Sequence, residues 1–254
     1  MALAVFTVVT VDVLVGGPLS ALDEALSRWV RTTGLPGRGW NRPWHHELDQ
    51  LVNFGDHEVV AVIAVIVLAA VCREARTLLP LLRLAVLGGL TVVTVWGLKV
   101  AVARPAPTGV AVEDVLRSYP SGHTATAVVL WGLIAAVVAE YRPRSVSAPV
   151  AEVLSWLGPL LTMTGLLLRD YHWLSDLIAG ASVGVVLLQV ERLALAHWRG
   201  GRRGSRRGAG AVRPPRPTAG APPPVVSPAG VDAAPGGSAG VPAPDAAAAR
   251  PGGG

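Results

Sequence analysis

Residues 118–141 read SYPSGHTATAVVLWGLIAAVVAEY, and the two halves of this stretch carry different messages. From Ala125 to Ala139 the only polar side chain is Thr126. With its first turn, 122–140 supplies the roughly 20 residues a helix needs to cross a hydrocarbon core. Pro120 and Ser121 are helix-start signals, the serine by capping the first free N–H groups. A membrane span therefore opens on the polar quartet Pro120-Ser121-Gly122-His123.

The same length and apolarity recur at about 58–72, 78–101, 149–168 and 174–196. A shorter apolar run, Ala2 to Val15, carries Asp12 and reads as a first span, because it lacks the basic n-region of a signal peptide. The expected architecture is all-α: a six-span transmembrane helical bundle over residues 1–198. Composition agrees. Hydrophobic residues make up 51% of the 254, and only 15% are charged, against roughly 25% in an average soluble domain. The single cysteine, Cys72, lies in an apolar run, which excludes a disulfide framework and a thiolate metal cluster. No metal and no cofactor is implied. Arginine fills every basic position except Lys99, and Ala, Gly, Pro and Val abound, the usage of a GC-rich, bacterial genome.

Short arginine-rich loops mark the cytoplasmic side of a membrane. Arg73, Arg76 and Arg83 flank one loop, Arg142 and Arg144 another, and Arg199, Arg202, Arg203, Arg206 and Arg207 follow the last span. With six spans all three regions fall on one side. Both termini are then cytoplasmic, residues 17–57, 102–121 and 169–173 face outward, and the chain sits in the cell membrane. The first outer region carries arginines of its own, but ALDEALSRWV and HHELDQLVNF within it read as amphipathic interfacial helices. Residues 199–254 are basic at first, then rich in Pro, Gly and Ala, with no aromatic residue. Such a segment cannot bury enough apolar surface to order itself, so a disordered cytoplasmic tail is expected. Its basic start suits anionic lipid headgroups, and in a membrane-anchored chain nucleic acid is the poorer partner.

Three polar clusters interrupt the apolar runs at the same outer face. Lys99 and Arg104 close one span in WGLKVAVARPAPT, Pro120 to His123 opens another, and Arg169, Asp170, His172 and Asp176 join the last two in TGLLLRDYHWLSDLIAG. A helix N-terminus presents free N–H groups and a partial positive charge to a phosphate, and Gly122 admits a close approach. A capped span with an interfacial histidine is the plainer reading of the same four residues. His172 and Asp176 are four apart, so on a helix the carboxylate can hold the imidazole and leave its other nitrogen free to attack. A merely structural pair has the same spacing, but an ionisable pair at a span entry is by default a functional candidate. Lys99 offers a compact ammonium for phosphate charge where every other basic position is arginine.

Lys99, Pro-Ser-Gly-His at 120–123 and His172-x-x-x-Asp176, in this order, resemble the type-2 phosphatidic acid phosphatase family, integral membrane lipid phosphatases whose site is related to that of vanadium haloperoxidases. The continuation HWLSDLIAGASVG is similar too, and the resemblance covers roughly residues 1–196. It implies a phosphatase acting on a lipid phosphate or diphosphate without a metal. His172 would be the nucleophile, Asp176 its orienting carboxylate and His123 the general acid and base. Lys99, Ser121 and Gly122 would bind the phosphoryl oxygens. Two family arginines are absent, with Ala106 and Leu166 in their places. Arg104, two residues before Ala106, and Arg169, three after Leu166, are expected to supply those phosphate contacts. The alternatives are an impaired relative that binds a lipid phosphate, and a membrane scaffold.

Overall fold

Length, caps and breakers set the elements. The computed structural model describes residues 1–34, 45–107 and 117–209, with no account of the side chains of 45 and 201–209. Among the described residues there are eight α-helices and no strand: α1 Ala2–Val15, α2 Pro18–Thr32, α3 His45–Asn53, α4 His57–Ala75, α5 Leu79–Val102, α6 Gly122–Tyr141, α7 Ser147–Leu168 and α8 Leu174–Ala209. α8 runs past the expected 198/199 boundary to Ala209, and the rest of the expected tail, 210–254, lies outside the described residues.

Among the described residues, four helices are long and apolar enough to cross a membrane: α5, α6, α7 and the Leu174–Gly200 part of α8. α1 and α2 pass only as a pair bent by 78°. Candidate spans by length and apolarity thus number four among the described residues, or five with the bent pair, against the expected six. α1, with 14 residues, is about 21 Å long and falls short of a hydrocarbon core of about 30 Å. α4 misses because Glu58, Arg73 and Glu74 all fall within its 19 residues, leaving an apolar centre between charged ends. Asp12 has a local purpose at the α1–α2 bend. Its carboxylate accepts the Ser20 N–H at 3.1 Å, capping α2 from the preceding helix. A Cβ on Gly17 would come within 2.2 Å of that carboxylate, so the corner needs glycine there.

α6 is the hub. Its buried positions run from Thr124 to Val138, and it packs on α4, α5 and α7. It meets α8 through small residues: a Cβ on Gly184 would stand 2.7 Å from the Val128 Cβ, and one on Gly132 2.5 Å from Leu188 Cδ1. Close backbone approach at small residues is how helices associate in lipid, where apolar burial gives no net drive. The outside is apolar in turn, with Val62, Ile66, Val92, Trp96 (58% exposed), Trp156 (70%) and Leu160 facing outward. That pattern is the reverse of a soluble bundle and fits a lipid surround.

At one end of the bundle Arg83 of α5 is buried between Glu191 of α8, 2.5 Å away, and Glu140 of α6, 3.1 Å away. Arg199 also pairs with Glu140, and Arg142 with Glu74 at 2.6 Å. Sixteen residues along α5, about 24 Å at helical rise, lies Lys99. The opposite end, where α5 finishes and α4, α6 and α8 begin, collects the polar clusters.

Candidate active site

The end of α5 and the start of α6 are laced by backbone. Ala103 leaves α5 in a left-handed turn (φ 50°), donating its N–H to the Lys99 carbonyl. The next carbonyl, that of Arg104, accepts the Ser118 N–H at 2.7 Å, and Lys99 Nζ donates to the Arg117 carbonyl at 2.6 Å. A cis Tyr119–Pro120 bond then leads into Ser121, the α6 cap, whose Oγ accepts from the Thr124 N–H and hydroxyl. Tyr119 is buried and its hydroxyl meets Thr10 of α1 at 2.7 Å; burial pushes its pKa above the usual phenol value. Within the first turn of α6 the N–H groups of Gly122 and His123 take no acceptor among the described residues. Among the described residues a Cβ at Gly122 would meet only Val95 Cγ1, at an ordinary 3.6 Å, so their packing leaves the space above this glycine open.

α8 brings the second half. Its Gly180 faces the turn so closely that a Cβ would stand 2.4 Å from the Ser121 carbonyl oxygen, and the Ser121 N–H donates to the Asp176 carbonyl at 3.0 Å. The Asp176 side chain is fully buried; Oδ2 meets His172 Nδ1 at 3.3 Å and accepts the Trp173 N–H. α8 begins only at Leu174, so His172 stands in the preceding turn and the pair is a helix-start contact. The expected shared helix face is corrected accordingly. His172, His57, Asp56 and Lys99 all lie within electrostatic reach of His123, and Asp176 within that of Lys99.

The two arginines part company. Arg104 Nη1 donates to Asp176 Oδ1 at 2.8 Å and to Ser175 Oγ at 2.6 Å, while Nη2 reaches Asp23 of α2 at 2.9 Å. Its guanidinium also lies 5.1 Å from the Trp173 ring centroid. Arg169, 4% exposed, pairs with Asp49 of α3 at 3.2 Å and donates to the Tyr171 hydroxyl at 2.7 Å. Ala106 and Leu166, at the two positions where arginine was expected, are both buried.

Residues 76–199 match the family model described as the PAP2 superfamily. That match supports placing this stretch in the PAP2 superfamily. The fold is similar to that of a crystal structure described as the first transmembrane PAP2 type phosphatidylglycerolphosphate phosphatase from Bacillus subtilis, with TM-score 0.62 and 21% identity over 74% of this chain and 92% of that one. No curated protein matches. The family match supports a membrane-embedded phosphatase, and the similar fold agrees with the family expected from the three clusters.

Several neighbours of the site escape a reading of the sequence. Asp23 is buried; besides Arg104 it accepts the Ser175 N–H at 3.0 Å and Oγ at 2.5 Å, capping α8 from α2. Its one local signal is the buried stripe Asp23, Ser27, Val30 along a helix otherwise read as interfacial. Asp170 stands out in the sequence as part of the third polar cluster, but its partners do not: it accepts from Ser27 at 2.6 Å and meets Arg31 at 3.2 Å. Asp56 caps α4, and the ring of His57 lies edge-on to His123 with centroids 6.2 Å apart.

Proposed function

We propose that this protein hydrolyses a lipid phosphate or diphosphate through a phosphohistidine at His172. The observation that carries the reading is the chain of contacts Arg104–Asp176–His172, set beside the free N–H groups of Gly122 and His123. His172 attacks through Nε2. Its Nδ1 is held by Asp176, which stabilises the positive ring as the N–P bond forms. His123 gives a proton to the departing lipid oxygen as the P–O bond breaks. It then takes a proton from water, whose oxygen attacks phosphorus and breaks the P–N bond, so both imidazoles return to their starting state. The first-turn N–H groups of α6, the Ser121 hydroxyl and Lys99 bind the phosphoryl oxygens as charge develops. Arg104, engaged by Asp176, Ser175 and Asp23, acts from behind by fixing Asp176, and Arg169 holds α3; both stand as positioning residues in place of the expected phosphate contacts.

The apolar exterior lets a lipid tail reach the polar end from the bilayer. Phosphatidate, phosphatidylglycerol phosphate (the substrate named for the Bacillus subtilis neighbour) and polyprenyl phosphates all fit this chemistry. The site faces outward, because Arg73, Arg76, Arg142 and Arg144 gather at the other end. Ala106 and Leu166 favour a second reading, a relative that binds a lipid phosphate without turning it over. Phosphate release by purified protein in detergent, measured on these three substrate classes, decides between them. His172→Ala is expected to lower kcat by roughly 10³-fold or more, and His123→Ala by about 10²–10⁴-fold. Release from no substrate, or release indifferent to His172→Ala, overturns the enzyme.

A further inference from the structure

We propose that Asp56, His57 and His123 form a site for a zinc-class divalent cation, and that the ion, once bound, blocks catalysis by taking His123. The inhibitory half rests on the role assigned to His123 above; the binding half does not. Each of the three residues offers one ligand atom, and these atoms all lie within 4.8 Å of one another. A tetrahedral zinc with bonds of 2.0–2.2 Å holds its ligand atoms roughly 3.4 Å apart, so small side-chain rotations close the set. Two imidazoles and one carboxylate, with a fourth position left to water, suit zinc and its transition-metal neighbours and poorly suit magnesium.

The three residues are held in register by contacts independent of any ion. Asp56 Oδ1 accepts the Glu58 and Val59 N–H groups at 3.0 and 3.1 Å, which fixes the carboxylate and leaves Oδ2 to coordinate. The turn before it is pressed onto α6. A Cβ on Gly55 would stand 2.9 Å from the His123 carbonyl oxygen, and Trp131 Nε1 donates to the Phe54 carbonyl at 2.8 Å. His57, the first residue of α4, is exposed and gives the ion an entry from solvent, while His123 is half-buried behind it. The proposed mechanism gives neither Asp56 nor His57 a part. A cation there removes from His123 the lone pair that must accept a proton from water, and sets a positive charge beside His172.

The test is titration calorimetry of the purified full chain with Zn²⁺ alone, paired with phosphate release at rising Zn²⁺. One ion per chain is expected. His57→Ala and Asp56→Asn should each weaken binding by about 10-fold or more; asparagine keeps the α4 cap, so that variant separates ligand loss from misfolding. His46→Ala and His197→Ala should leave the affinity within about twofold, and Mg²⁺ should not compete. The Zn²⁺ concentration that halves phosphate release, taken against each variant's own zinc-free rate, should rise in step with the weakened binding. No saturable binding, or binding unmoved by His57→Ala, overturns the site. Binding that depends on His57 but leaves release untouched overturns the inhibition. Binding that depends on His57 in a chain that releases phosphate from nothing upholds the site and sinks the phosphatase reading.

Discussion

At the scale of single residues, the site depends on how closely two backbones approach. Gly180 lets α8 lie against the Ser121 carbonyl, so Gly180→Ala must push the Pro120–His123 turn away from Asp176. Overpacking of this kind destabilises by about 1–3 kcal/mol, and kcat should fall with it. Gly184→Ala, which meets Val128 one turn further along, should lower the thermal midpoint in detergent while leaving kcat nearer normal. Equal loss of kcat in both variants would refute a specific role for Gly180. Asp23 sets the second dependence. Removing one partner of a buried ion pair costs about 3–5 kcal/mol, so Asp23→Ala should destabilise strongly. Asp23→Asn, whose amide oxygen keeps the Ser175 N–H contact while the Arg104 pair is lost, should destabilise less and show mainly as a lower kcat with KM little changed. His172, Asp176, Lys99 and the Pro-Ser-Gly-His turn were legible because each breaks an apolar run. Asp23 was not, since an acidic residue on an amphipathic helix looks solvated and its partner Arg104 stands 81 positions away.

Among elements, the short turn between α7 and α8 carries more than its length suggests. Arg169 takes hold of α3 through Asp49, and Asp170 takes hold of α2 through Ser27 and Arg31, so adjacent residues strap both interfacial helices to the bundle. The amphipathic character of these helices was readable from charge periodicity. Their fastening was not, because it runs through single polar contacts across more than a hundred residues. Burial pushes the Asp170 carboxyl above its ordinary range, against a smaller downward pull from the Ser27 hydrogen bond and the Arg31 charge. A raised folded-state value means the protonated form suits the fold better than the unfolded chain. The associated stability is complete below the ordinary carboxylate value, about 4, and is lost as pH rises through the raised one. The thermal midpoint in detergent should therefore decline over that window. Asp170→Asn should flatten the decline, and asparagine tolerates the positive φ of 55° found there. A wild-type profile that rises with pH across this window would contradict the assignment.

On the scale of the whole molecule, each of α5, α6 and α8 carries a site residue at one end and a member of the Arg83–Glu140–Glu191 cluster at the other. The fold class was legible because long apolar runs leave no alternative to helices in lipid. The number of spans was not, because neither the bend at Gly16–Gly17 nor the charged ends of α4 alter the apolar count that suggests a span. The proposed polarity across the membrane rests on the two ends. One holds the arginine-rich loops and the buried Arg83 cluster, the other the proposed phosphate site, and the arginine bias favours a cytoplasmic place for the first. Cysteine labelling of intact cells checks this directly in a Cys72→Ala background, since Cys72 is the chain's only cysteine. Arg117→Cys is exposed at the site end, and Val146→Cys at the far end is 86% exposed. A membrane-impermeant maleimide should modify the first in intact cells and the second only after lysis. The reverse pattern would place the phosphatase site in the cytoplasm and restrict its substrates to lipids of the inner leaflet.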